Sequence, residues 1–131
     1  MKFLYATAAL AALAVAPVYA ACTAPGPAPA IPDASSATPD DILQSQKAVL
    51  AFNSATTTYL TCVKKEHDDA ISAAGPGITT VEADKIDHAE DQQHDAAVKQ
   101  LNSVVGRFNA LVNGFKAKQA AAAAAAKAKK K

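Results

Sequence analysis

The chain has 131 residues, half of them hydrophobic, with two Cys, no Trp and a formal net charge of +1 at pH 7. Alanine alone supplies 34 residues, so larger apolar side chains are too few for an extended globular core, and a multidomain enzyme is excluded. Such an Ala-rich composition with few β-branched runs points to helix.

The chain opens with Lys2 and an apolar stretch of Ala and Leu over residues 3–16, broken by Pro17. Val18 and Ala20 then put medium and small residues at the −3 and −1 positions, and the pattern reads as a secretory signal over residues 1–20, cleaved between Ala20 and Ala21. The stretch is short of the roughly 20 residues a membrane span needs, so no transmembrane span is expected in the mature chain. The alternative frame Tyr19-Ala20-Ala21-Cys22 reads as a lipoprotein signal, with lipid on Cys22.

Residues 21–38 form a Pro-rich segment with Pro25, Pro27, Pro29 and Pro32. Proline fixes φ and lacks an N–H donor, so an extended arm near polyproline II is expected. Thr38-Pro39-Asp40-Asp41 is then a helix start: a capping hydroxyl, Pro at the first turn, and acids at the positive end of the helix dipole. Ile42, Val49, Phe52, Tyr59 and Val63 recur at helical spacing until Gly75-Pro76-Gly77 breaks the pattern near Ala74. Thr79 with Glu82 three residues later has capping-box spacing. A second stripe follows through Ile86, Ala89, Gln93, Ala97, Leu101, Val104, Phe108, Leu111 and Phe115. The expected fold is all-α: a long antiparallel two-helix hairpin over residues 39–119 with its turn at 75–78, coiled-coil-like in spacing. The extended arm precedes it, and residues 120–131 form an Ala/Lys low-complexity tail.

Folding about Pro76 sets Phe52 level with Leu101, Val49 with Val104, Val63 with Glu90 and Ile42 with Leu111, and places small Ser45 opposite bulky Phe108. Two helices alone bury little, so the Cys pair matters. An exported chain meets an oxidising compartment, where Cys22 and Cys62 are expected to form an intramolecular disulfide. The 17 residues from Cys22 to Pro39 reach about 53 Å if extended, whereas the 23 residues from Pro39 to Cys62 span about 35 Å as helix, so the arm can turn back along the hairpin.

Cys22-Thr23-Ala24-Pro25, Pro29, Pro32-Asp33 and Tyr59-Leu60-Thr61-Cys62 together resemble small uncharacterised exported proteins of proteobacteria, which share a Cys/Pro arm followed by a helical Tyr-x-x-Cys segment. The resemblance covers roughly residues 20–65. It implies bacterial export and brings no activity with it.

Charge is segregated. Nine acids lie between Glu66 and Asp95 against Lys85 alone, whereas eight bases and no acid follow Ala96. The hairpin therefore has an acidic turn end and a basic open end, which allows head-to-tail association or orientation at a charged surface, the alternative being two solvated faces. Lys116, Lys118, Lys127, Lys129, Lys130 and Lys131 are the candidate contacts to an anionic envelope surface. No aromatic residue follows Phe115 to stack on bases, so nucleic acid is not an expected partner.

No metal site is expected. The nearest approach to one is His88 with Asp84 and Asp91, which share a helix face, and His67 falls near the level of Ile86, within reach of His88 if the faces of the two helices match. His88 and His94 are six residues apart and diverge around the helix. No nucleophile elbow, phosphate loop or calcium loop occurs, and so thin a hairpin is expected to lack a ligand-sized pocket. Neither an enzyme nor a cofactor is expected. The sequence points to an exported structural or interaction module of the bacterial periplasm whose apolar stripe either packs on the arm or dimerises into a four-helix bundle. The alternatives are an envelope tether, held by lipid on Cys22 or by the lysine tail as in small helical lipoproteins, and a cation binder at the acidic end.

Overall fold

The structure, a computed structural model, describes residues 22–130. The expected secretory signal over residues 1–20 with its expected cleavage between Ala20 and Ala21, and Lys131, lie outside the described residues. Two helices, α1 (Pro39–Ala74) and α2 (Thr80–Ala128), pack against each other as an antiparallel hairpin, and no strand occurs among the described residues.

Both helices begin on reciprocal caps. The Asp41 N–H donates to the Thr38 hydroxyl oxygen while the Asp41 carboxylate accepts from the Thr38 backbone, and Glu82 and Thr79 repeat the arrangement. Each box satisfies two N–H groups that the first helical turn otherwise leaves unpaired. The Thr38 backbone and hydroxyl hold the Asp41 carboxyl below its usual range, and Thr79 does the same for Glu82. The end of α1 depends on Gly75, whose φ of 72° suits a residue without a Cβ and whose N–H donates to the Ile71 carbonyl.

The hairpin register agrees with the expected one to within a residue. The Tyr59 hydroxyl donates to Gln93 Oε1 at 3.0 Å, and His67 Nε2 lies 2.8 Å from Asp87 Oδ1. Val49, Phe52 and Val104 form the centre of the core, with Leu101 and Phe108 packed against them. Thr56 is wholly buried, and its hydroxyl donates back to the Phe52 carbonyl, so no buried polar side-chain atom among the described residues is left unpaired.

Residues 22–38 form no helix and follow the groove between the two helices. The segment is tied at Cys22, bonded to Cys62 with 5.8 Å between Cα atoms, and the Cys22 N–H donates to Glu66 Oε1. It then passes Tyr59, Gln93 and Ala97, and Ala28 and Ile31 pack onto the core. Asp33 starts the turn into α1, its carbonyl accepting from the Ser36 and Ala37 N–H groups, and Ala37 is buried. The segment thus supplies the third apolar surface that two helices lack.

One glycine reports on this packing. A Cβ added at Gly114 would lie 2.5 Å from the Ala34 Cβ, an atom that yields only if the backbone of residues 22–38 moves. At Gly106, also within α2, an added Cβ meets nothing within 4 Å. Gly106→Ala is expected to stabilise the protein by about 0.5–1 kcal/mol through helix propensity. Gly114→Ala gains the same propensity, but overpacking costs roughly 1–3 kcal/mol, so the net effect is destabilising. Thermal melts of the two variants should move in opposite directions. Equal rises would mean that Ala34 does not press on α2.

Candidate functional site

The acidic turn end holds the densest arrangement of ionisable groups. Beyond Cys22 the groove between the helices continues without a third segment over it among the described residues. It opens into a cleft of about 310 Å³ with apolar walls of Val63, Ala70, Ile86 and Ala89 and a rim of Glu66, His67, Lys85, Glu90 and Gln93. That volume reaches the lower end of ligand-pocket sizes. The cleft is an open groove, and its walls include the small side chains Ala70 and Ala89, which leave the space between the helices partly unfilled.

His67 links the two helices across this cleft. Its Nε2 lies 2.8 Å from Asp87 Oδ1 and 3.8 Å from Glu90 Oε2 on α2, and its Nδ1 lies 3.2 Å from Asp68 Oδ1 on α1. Lys64 in turn donates to Asp68, which raises the lysine pKa and lowers that of Asp68. The hydrogen bond to Asp87, followed by that to Asp68, raises the His67 pKa above its ordinary 6.5. A histidine whose folded pKa is raised contributes stability that is complete below the unfolded value. That contribution is lost as pH rises through the folded one. The melting temperature should therefore fall between pH 6 and pH 8.5, and His67→Gln should flatten that slope. A slope unchanged in His67→Gln would place its origin elsewhere.

The other candidate residues are distributed differently from the sequence expectation. His67 does not meet His88. The face of α2 that it reaches carries Asp87 and Glu90, whereas the His88 ring nitrogen accepts from the Gln92 side-chain amide at 2.8 Å. His88, Asp84 and Asp91 are not brought together as a ligand set among the described residues. Among the described residues, the one group of three potential ligands within 4.8 Å of one another is Cys22, Cys62 and Glu66. Its two sulfurs are bonded to each other, so neither offers a thiolate. No free cysteine occurs among the described residues.

The lysines divide into two sets. Lys118 donates from Nζ to the Ser35 carbonyl at 2.9 Å, so it fastens the turn before α1 instead of projecting as a free anion contact. Lys116 and Lys127 lie exposed on α2, which continues as helix through the seven alanines to Ala128, with exposed Lys129 and Lys130 just beyond. Reading spacing along one segment did not reveal the Lys118–Ser35 contact or the reach of His67 to Asp87, because both depend on how separate segments meet.

The chain matches no protein-family model, no curated protein and no solved structure.

Proposed function

We propose that the protein is a non-enzymatic exported module of the bacterial periplasm, a stapled helical hairpin that works by presenting surfaces to partners. The observation that carries this reading is the Cys22–Cys62 disulfide. It closes a loop of sequence separation 40 and holds residues 22–38 on the core. Such a bond is maintained in oxidising compartments and is rare where thiols are kept reduced. No helix among the described residues is long and apolar enough to cross a membrane, which agrees with this placement. The segregated charge supports the interaction role: an acidic turn end and a basic open end on one rod leave opposite poles for recognition.

Expression in an exporting bacterial host followed by osmotic shock tests the reading. Release with the periplasmic fraction is expected. Retention in the cytoplasm would overturn it.

A second reading, an envelope tether, draws on the exposed basic end of α2, with Lys116, Lys127, Lys129 and Lys130 available to an anionic surface. Its lipid form would need the Cys22 sulfur that the disulfide occupies. The tether predicts that the protein sediments with the envelope at low salt, and that removing residues 120–131 releases it.

A further inference from the structure

The hairpin has two broad faces, and the described chain covers only one. Residues 22–38 lie over the groove where Ala48 of α1 and Arg107 and Leu111 of α2 line it. The opposite face carries Leu50 and Leu60 on α1 and Leu101, Val105 and Val112 on α2. Leu50 is 60 % exposed and Val105 is 37 % exposed.

Charge is ordered along this same face. An α-helix turns 100° per residue, so residues 7, 11 or 18 apart point nearly the same way. On α2 that places Asp87, Val98, Val105, Lys116 and Lys127 on one line: acid, then apolar, then base. On α1, Asp68 stands 18 residues from Leu50 and points with it. An acid–apolar–base line becomes base–apolar–acid when reversed, and is therefore complementary to its own reverse.

The lengths agree with this reversal. Past Lys118, its contact with the arm turn, α2 runs ten more residues, about 15 Å of exposed Ala-rich helix. Past Lys64, at the other end of the apolar stretch, α1 also runs ten more residues to Ala74, again about 15 Å. The basic overhang therefore has the length of the acidic end, and its alanines allow a close approach.

We propose that the uncovered face binds a second copy of this chain, antiparallel, about a two-fold axis near Leu101. Val105 and Leu50 of the two copies meet at the centre, and Asp87 of each copy faces Lys116 of the other. The α2 overhang of each copy lies along the acidic turn end of its mate. The result is a four-helix arrangement with residues 22–38 of both copies on the outside. This inference rests on the interaction-module reading and names its partner. It does not depend on where the cell places the protein, so failure here leaves the osmotic-shock result standing, and the reverse also holds.

The test is sedimentation equilibrium of the oxidised full chain between 1 and 100 µM, together with carbodiimide cross-linking mapped by mass spectrometry. A dimer is expected, and Val105→Glu and Leu50→Glu should each weaken it at least tenfold. Both side chains are exposed in the single chain, so the circular dichroism of the variants should remain that of the parent. Asp87 and Lys116 are 29 residues apart on one helix, about 44 Å, so a zero-length link between them forms only between copies. That link is the expected product. A monomer at 100 µM would overturn the proposal. So would a dimer indifferent to both glutamate variants, or one whose cross-links omit Asp87 and its neighbouring acids.

Discussion

Replacing Cys22 and Cys62 together with serine should lower the melting temperature by roughly 10–20 °C. The bridge closes a loop of sequence separation 40, and constraining a loop of that length in the unfolded chain is worth about 4 kcal/mol in the chain-entropy model, with 2–4 kcal/mol typical in practice. A small domain with a net stability of about 5–15 kcal/mol feels that loss strongly. The contacts of Ala28 and Ile31 with the core remain in the variant, but the end at Cys22 is free to leave the groove. Parallel melts of the serine variant and of reduced parent protein check this, and the two should coincide. A serine variant as stable as the oxidised parent would mean that packing alone holds residues 22–38 in place.

Phe52→Ala should be destabilising to a similar degree, by about 3–5 kcal/mol. Phe52 is 6 % exposed and stands at the centre of the core with Val49 and Val104. Ile31 on one side and Leu101 on the other pack against that centre, so the space left by the ring is bounded by three segments that cannot all close on it. Phe52→Leu keeps most of the volume and should cost less than half as much. Chemical denaturation monitored by circular dichroism gives both values. A cost below about 1 kcal/mol for Phe52→Ala would mean that the helices collapse around the gap, and so that the core is less tightly specified than its burial indicates.

The helix boundaries were legible because they are local. Thr38, Pro39, Gly75 and Thr79 act through backbone groups within four residues, and the structure uses each where the spacing places it. The register was legible as well, since one short turn at Gly75-Pro76-Gly77 fixes which residues of two periodic stripes share a level. The Cys22–Cys62 bridge followed from there being only two cysteines and a segment long enough to turn back. What pattern reading missed is what separate segments decide jointly. Ala34 against Gly114, Lys118 on Ser35, and His67 on Asp87 instead of His88 depend on rotations of one element against another, which periodicity leaves free by several tens of degrees. The cleft beside His67 is a case of the same kind. Ala70 and Ala89 read as ordinary helix formers, and only the distance between the helices turns them into walls.

The protein is a helical hairpin closed by the Cys22–Cys62 disulfide, and we propose that it is exported. An intact-mass spectrum of the protein purified from an exporting host, recorded with and without reductant, decides both points. The expected result is a chain beginning at Ala21 that gains the mass of two hydrogens on reduction, as the Cys22–Cys62 bond opens. A chain beginning at an acylated Cys22, with Cys62 a free thiol, would contradict it and make the protein a lipid-anchored helical rod.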